Sequence, residues 1–244
     1  MKKSHSIYYF EHEGRENWQH VLRLVKRALK RRSELQTYKV IIFTAIGEGA
    51  ALAYNLFQEW NTKIIAITFP PDFVVVREGQ SVSPRIFPKA KAFFDGVSIP
   101  VITARLPFQK IEGADAHNQQ MKLIGDVLTL FGGSFSLAVQ SVLQACDHGF
   151  VEIGEKVIAV TGDSAAIITA SNTSKFMTRE QGLVINEIIC KPRNMTIARG
   201  APAVALEQSR SLFEQDGTPQ LKAAAPKPQP LVIEGKQAIP EKEK

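Results

Sequence analysis

The sequence predicts an α/β protein built on a parallel sheet. Apolar runs of strand length alternate with longer segments of helical periodicity, a pattern typical of βαβ units. Two of the runs, residues 39–43 and 156–160, end in Thr and then in loops of small and hydroxyl residues. Ligands of open α/β sheets bind at the carboxyl ends of the strands. The sequence therefore indicates a place for a ligand more clearly than a reaction.

The spacing of apolar residues, and the residues that interrupt it, predict the first helices and strands of the chain. Residues 14–32 place apolar side chains on one face of a predicted helix and basic side chains mostly on the other. A strand at 39–43 and a helix from Gly49 to Trp60 come next. Residues 63–69 form a second β-branched strand, which the prolines at 70 and 71 end.

The middle of the chain is predicted to be mainly helical. Residues 72–84 are expected to be irregular, 87–94 helical and 99–103 a short third strand. Apolar spacing predicts helices over 115–149, interrupted by two glycines, with Ser134 as the N-cap of the second helix.

The last part of the chain contains two further strands and a tail. Strand 156–160 is followed by a final apolar run at 183–189. We assign residues 1–202 to one α/β domain and 203–244 to a Pro- and Ala-rich tail that is predicted to be disordered. Residues 231–233 are the apolar exception in that tail and could dock on a sheet edge.

Composition narrows the class of protein. The chain has 244 residues, 44% of them apolar and 22% charged, as in ordinary globular proteins. Its apolar runs are far shorter than a membrane span, and no signal peptide is recognised, so we expect a cytoplasmic protein with no membrane partner. With only Cys146 and Cys190, a disulfide framework is not expected.

The net charge of +6 resides in the predicted helix near the N-terminus. Residues 15–32 hold seven basic residues and one acidic residue. Such a run usually forms the solvated face of a helix that packs on the core. A phosphate-rich partner, either RNA or anionic lipid, is the alternative, but no aromatic residue interleaves with the basic ones, and nucleic acid is therefore not the expected partner.

The loop after the first strand is a candidate phosphate site. Thr44, Gly47 and Gly49 stand where a strand gives way to a helix, whose first N–H groups and positive dipole end suit an anion. The dinucleotide fingerprint is incomplete because Leu52 replaces its third glycine, and no P-loop sequence follows. A tight strand-to-helix turn without a ligand is the alternative.

The loop after strand 156–160 is richer in hydroxyl groups. These can donate to an anion or a sugar, whereas Asp163 would repel phosphate and accept from a ribose or ribityl hydroxyl. A polar connector is the alternative. The candidate ligand-binding residues of this loop are Thr161, Gly162, Ser164, Thr169, Asn172 and Thr173.

Catalytic and metal signals are weak. The five histidines have no ligand spacing with one another or with the cysteines, and no Gly-x-Ser-x-Gly nucleophile motif is present. We therefore name no catalytic residue and no metal ligand.

The order of these segments resembles stand-alone proteins that are similar to the C-terminal domain of pyruvate kinase. The resemblance covers residues 7–198. It is carried by Tyr9-Phe-Glu-His-Glu-Gly-Arg-Glu-Asn17, by Val40-Ile-Ile-Phe-Thr44 with its glycines, by Ile64-Ile-Ala-Ile-Thr-Phe69, by Gly154-Glu-Lys-Val-Ile-Ala-Val-Thr-Gly162 and by Asn186-Glu-Ile-Ile-Cys-Lys-Pro-Arg193.

The resemblance implies a three-layer α/β/α fold with a mostly parallel mixed sheet of about five strands, the last of them antiparallel. In pyruvate kinase this domain binds a sugar phosphate through a Thr-, Ser- and Gly-containing loop and a second loop that closes over it. Residues 44–49 and 161–173 fall at those places. The stand-alone relatives look like binders of a phosphate-bearing molecule, with flavin mononucleotide (FMN) as the first candidate. Glu48 and Asp163 depart from the pattern by adding negative charge.

Three functions are open at this point. The first is a regulatory domain that binds a phosphorylated small molecule, without pyruvate kinase activity because the catalytic barrel is missing. The second is an interaction domain that has lost the ligand and acts through helix 15–32 and the tail. The third is an FMN-dependent enzyme. Domains of this type often pair, so association of the chain with itself is a further expected contact.

Overall fold

A computed structural model describes residues 6–77, 80–108 and 116–195. The predicted tail at 203–244 lies outside the described residues. Within the described residues, seven strands form one sheet, and two more form a separate antiparallel pair. The strands are β1 (Tyr8–His12), β2 (Val40–Phe43), β3 (Ile64–Thr68), β4 (Val75–Arg77), β5 (Gln80–Val82), β6 (Val101–Thr103), β7 (Lys156–Val160), β8 (Ala165–Thr169) and β9 (Val184–Asn194).

The main sheet has the strand order β1-β9-β8-β7-β2-β3-β6. The pairs β2–β3, β2–β7, β3–β6 and β1–β9 are parallel, whereas β8 is antiparallel to both β7 and β9. The predicted mostly parallel mixed sheet is confirmed, but its antiparallel strand is β8 and not the last strand, β9, which is parallel to β1. Since β9 and β7 both oppose β8, β8 alone runs against the other strands of this sheet.

Five α-helices of the described chain cover the two faces of the sheet. They are α1 (Trp18–Arg31), α2 (Glu48–Phe57), α3 (Pro88–Gly96), α4 (Ala116–Leu128) and α5 (Gly133–Asp147). Alternate residues of β2 face opposite layers: Val40 and Ile42 join the core beneath α1, α2 and α3, while Ile41 and Phe43 join the core beneath α5. Because a central strand is buried on both faces, it reads as a continuous apolar run. The α/β/α layering is confirmed.

The structure corrects three local predictions. The sheet has seven strands because β1 adds to its edge and β8 lies within residues 161–173, which were predicted to be a loop. Residues 72–84, expected to be irregular, contain the β4–β5 pair. Ser134 is not an N-cap, since α5 begins after Gly132, whose φ of 120° suits glycine.

The outer face of α1 carries the basic charge that the sequence predicts. The buried residues of α1 include Trp18, Val21, Leu22 and Val25, whereas Arg27 and Lys30 are exposed. In the described part of the chain, no helix combines the length and the apolar character needed to cross a bilayer.

Candidate functional site

The candidate site lies at the carboxyl edge of β2 and β7, which are adjacent and parallel. From β2 the chain continues through α2 to β3 on one side, and from β7 it turns to β8 on the other. The loops that follow the two strands therefore diverge at the point where the strand order reverses. In open α/β sheets this is where ligands bind.

The first loop satisfies its own hydrogen-bond donors. The Thr44 hydroxyl, which is buried, accepts from the N–H of Gly47 at 3.1 Å and from the N–H of Gly49 at 3.2 Å. Gly47 has a φ of 101°, and α2 begins at the next residue. Thr44 thus caps the start of α2 from inside the protein. Two donors that were predicted to hold a phosphate are occupied by a side chain.

The second loop is organised around Asp163, which is only 2% exposed. Its Oδ2 atom accepts from the Gly14 N–H at 3.0 Å and from the Ser134 hydroxyl at 3.1 Å, and its Oδ1 atom accepts from the Ser164 hydroxyl at 2.8 Å. Burial raises the pKa of Asp163, and the three hydrogen bonds oppose that rise. This carboxylate joins the second loop to the N-terminal segment and to α5.

Residues 14–18, which we call the N-terminal strap, cover both loops. A Cβ atom added to Gly49 would overlap the Trp18 ring, and one added to Gly162 would lie 3.5 Å from Trp18 Nε1 and 3.4 Å from Arg15 Cα. Trp18 itself is buried. The strap therefore fills the part of the crevice that lies between β2 and β7.

The strap also supplies the partner of the acidic residue in the first loop. Arg15 forms an ion pair with Glu48, the first residue of α2. Burial raises the pKa of Glu48, and the Arg15 guanidinium acts in the opposite direction. Glu48 and Asp163, predicted to repel a phosphate, are thus both engaged with groups of the protein.

Three of the predicted site residues lie at the opposite edge of the sheet. Because β8 runs back along β7, Thr169 pairs with Lys156 at the start of that strand. Thr169 is four residues along β8 from Ala165, or about 13 Å at the rise of a strand. Asn172 and Thr173 follow it in the chain. The structure does not bring these three residues together with Thr44 and Thr161.

At the opposite edge, Thr169, Asn172 and Thr173 form hydrogen bonds with other groups of the protein. The Thr169 hydroxyl donates to Asn186 Oδ1 at 2.8 Å, and Asn172 Oδ1 accepts from the Lys175 N–H at 3.0 Å. The N–H and the hydroxyl of Thr173 both donate to the Asp147 carboxylate at the end of α5. These residues organise a loop, as the connector interpretation expected.

The part of the carboxyl edge beside β3 carries features that sequence reasoning missed. The rings of Phe69 and Phe73 stack with centroids 4.2 Å apart and planes 3° from parallel. The exposed Arg85 donates to the carbonyl of Pro71 at 2.8 Å, and the exposed Arg105 pairs with Asp72. In the sequence, the sign of this part of the site was Arg105, which follows the carboxyl end of β6.

The N-terminus of α5 adds further donors to the carboxyl edge on the β7–β8 side, beside Asp163. The first helical bond of α5 runs from the Ser136 N–H to the Gly132 carbonyl at 3.1 Å. The N–H groups of Gly133, Ser134 and Phe135 therefore have no carbonyl partner within the helix, and they carry the positive end of its dipole. Gly133 and Ser134 are partly exposed.

No metal centre accompanies these groups in the described residues. No cluster of three His, Cys, Asp or Glu residues that could hold a metal occurs among them. A shallow cavity of ≈ 440 Å³ lies near the start of β6, at the other end of the sheet. Its wall is formed by Phe94, Asp95, Ser98, Ile99, Pro100 and Phe150. Asp95, its charged residue, already pairs with Lys91, so we regard the cavity as a surface depression.

No protein-family model matches the chain. What this edge of the sheet binds must therefore be inferred from the chemistry of its own residues.

Proposed function

We propose that the chain is a non-catalytic binding domain for a phosphate-bearing small molecule, either FMN or a sugar phosphate. The ligand lies on the β3 side of the carboxyl edge, beside the part that the N-terminal strap fills. The observation that carries the proposal is the pair of exposed arginines at this edge, Arg85 and Arg105, which both contact the loop after β3, at Pro71 and at Asp72. The resemblance to the pyruvate kinase C-terminal domain supports the same class of ligand.

Arg105 is the residue we expect to hold the phosphate. Guanidinium groups bind phosphate oxygens through paired, charge-assisted hydrogen bonds. Its present partner Asp72 is exposed, and the side chains of both residues are more than half accessible. An exposed ion pair of this kind contributes only ~0–1 kcal/mol. A doubly charged phosphate can therefore replace Asp72 at low cost.

The stacked rings of Phe69 and Phe73 favour FMN over a sugar phosphate. Both rings are half-buried and lie in the loop that carries Asp72. A planar isoalloxazine ring can extend such a stack, and aromatic pairs of this geometry contribute about 0.5–1.5 kcal/mol beyond burial. A sugar phosphate would use the arginines and leave the stack unused.

The first test is the absorption spectrum of freshly purified protein, followed by mass spectrometry of the released small molecules. A flavin band in near-equal ratio to the chain would support FMN. If the protein is colourless, ligand-free chain should be titrated with FMN, with ribose 5-phosphate and with inorganic phosphate by calorimetry. Failure of all three to bind would refute the proposal.

Paired variants locate the ligand. Arg105→Ala should weaken binding by about tenfold or more, because it removes a charge-assisted contact. Arg179→Ala removes an exposed arginine from the loop at the opposite edge and should leave affinity unchanged. Thr173→Ala should also leave it unchanged. An effect of Thr173→Ala equal to that of Arg105→Ala would move the ligand to the other edge.

A second candidate function is supported by the strap and by the basic helix. Residues 14–18 occupy part of the predicted crevice, which is what loss of a ligand would produce. Arg27, Lys30 and Arg31 form no ion pair within the described residues and are exposed on α1. An interaction domain would use them to bind an acidic partner. If it does, the variant with all three changed to Glu should lose a protein that co-purifies with wild type, while the calorimetric titrations show no ligand.

A further inference from the structure

Helix α4 is apolar on two faces. Its inner face is formed by Met121, Ile124 and Leu128, which pack against the core beneath α5. Its outer face and the turn that follows expose Leu123 (63%), Val127 (50%), Leu130 (65%) and Phe131 (43%). We call these four residues the outer stripe.

The outer stripe has the spacing of a contact surface. Leu123, Val127 and Leu130 follow one another at i, i+4 and i+7, so they lie on one side of the helix and of the 3-10 turn that continues it. Neighbouring exposed apolar side chains of this kind mark an interaction site. Single exposed residues such as Met177 need no such explanation.

The described chain ends beside this stripe. β9 finishes at Asn194, and the Met195 sulfur would lie 2.9 Å from a Cβ atom added to Gly132. Gly132 directly follows Phe131, the last residue of the stripe. The point at which residues 196–244 are attached therefore lies at one end of the exposed apolar surface.

The first part of that segment has matching apolar character. Ala205, Leu206, Leu212 and Phe213 are spaced as one face of a helix, and Pro202 and Gly217 stand where helices commonly begin and end. Ten residues of extended chain reach about 33 Å. The stripe from Leu123 to Leu130 is only about 10 Å long. Residues 205–213 can therefore reach all of it.

We propose that residues 202–213 pack against the outer stripe of α4 as part of the folded domain. The occupant is this segment of the chain itself, because its attachment beside Phe131 gives it a local concentration in the millimolar range. A second copy of the chain has no such advantage. The proposal moves the domain boundary beyond residue 202, where a compositional change had placed it, and it does not depend on the proposed ligand.

The test is amide hydrogen exchange of the full chain, followed by mass spectrometry. In wild type, the amides of 204–213 should exchange about tenfold or more slowly than those of an unstructured peptide. Leu130→Asp should abolish that protection and leave the exchange of β2 and β7 unchanged. Leu206→Asp should act in the same way from the other side of the contact. Met177→Asp, at an exposed apolar residue away from the stripe, is the control and should leave protection intact.

Three results would overturn the proposal. One is unprotected exchange of 204–213 in wild type. Another is protection that Leu130→Asp does not change, which would separate the segment from the stripe. The third is protection of the stripe that disappears on dilution, which would make a second copy of the chain the occupant.

Discussion

At the scale of single residues, Asp163 connects three parts of the molecule that are far apart in sequence. Its carboxylate accepts from the backbone of Gly14, from Ser134 at the start of α5 and from Ser164. Sequence reasoning assigned it an effect on a ligand. In the structure, its oxygen atoms accept hydrogen bonds from groups of the protein itself. Asp163 therefore helps to fix the shape of the carboxyl edge.

We expect Asp163→Ala to lower the free energy of unfolding by about 3 kcal/mol, because three donors lose a buried acceptor. Chemical denaturation measures this. Asp126→Ala is the matched control, since it removes an exposed carboxylate paired with Lys122 and should cost about 0.5 kcal/mol or less. Equal losses in the two variants would mean that the buried hydrogen bonds of Asp163 contribute nothing specific.

Gly49 is a second residue whose role depends on a distant neighbour. A side chain there would overlap the Trp18 ring. We expect Gly49→Ala to destabilise the protein by about 1–3 kcal/mol, even though alanine favours helices. Gly96→Ala, in α3 with open space around it, should instead stabilise by about 0.5–1 kcal/mol. Thermal unfolding of the two variants should shift in opposite directions, and a shift in the same direction would contradict the close approach of Trp18.

At the scale of elements, the start of α2 depends on one hydroxyl. Thr44→Val keeps the shape of the side chain but leaves the N–H groups of Gly47 and Gly49 without their acceptor. We expect a loss of about 2 kcal/mol in the free energy of unfolding. Thr44→Ser, which keeps the hydroxyl, should recover most of it. If valine and serine behave alike in denaturation experiments, the hydroxyl does not cap the helix.

Local apolar periodicity predicted some strands and helices well and missed others. Strands β2, β3 and β7 and helices α1, α2 and α5 were predicted with nearly their observed bounds, because each is a long, strongly periodic or continuously apolar segment. Strand β8 was missed because its five residues, Ala165–Thr169, stand between hydroxyl-rich stretches that resemble a loop. Strand β1 was missed because its alternation is short and includes charged residues at a sheet edge.

At the scale of the whole molecule, buried carboxyl groups make stability depend on pH. Burial raises the pKa of both Glu48 and Asp163. Between the unfolded and the folded pKa, the folded state keeps a proton that the unfolded chain has lost. The unfolded state then binds fewer protons, so stability falls as pH rises through this window.

This effect can be isolated with Asp163→Asn, which does not titrate. We expect the stability of wild type relative to this variant to be greatest below the pKa of an unfolded carboxyl and to fall as pH rises to the raised folded value. Denaturation curves at a series of pH values give this difference, in which the other titrating groups largely cancel. A difference that grows with pH would mean that the hydrogen bonds outweigh burial.

The candidate site shows which of its parts were predictable. Thr44 and Thr161 were correctly placed at adjacent strand ends, because each directly follows a strand of the predicted parallel sheet. Thr169 and Thr173 were grouped with them only because they are near Thr161 in sequence. The reversal of β8 carries them to the other edge.

The sequence by itself determined the α/β class, the order of the main elements and the two strand ends at which a site could form. Those features are encoded locally, in apolar periodicity and in the residues that end each element. Only the tertiary structure decided that Trp18 lies over both loops, that the carboxylates of Glu48 and Asp163 face internal partners, and that Arg105 pairs with Asp72 in the loop of the stacked rings. These are contacts between segments separated by many residues. They depend on the direction and pairing of whole strands, which no local pattern specifies.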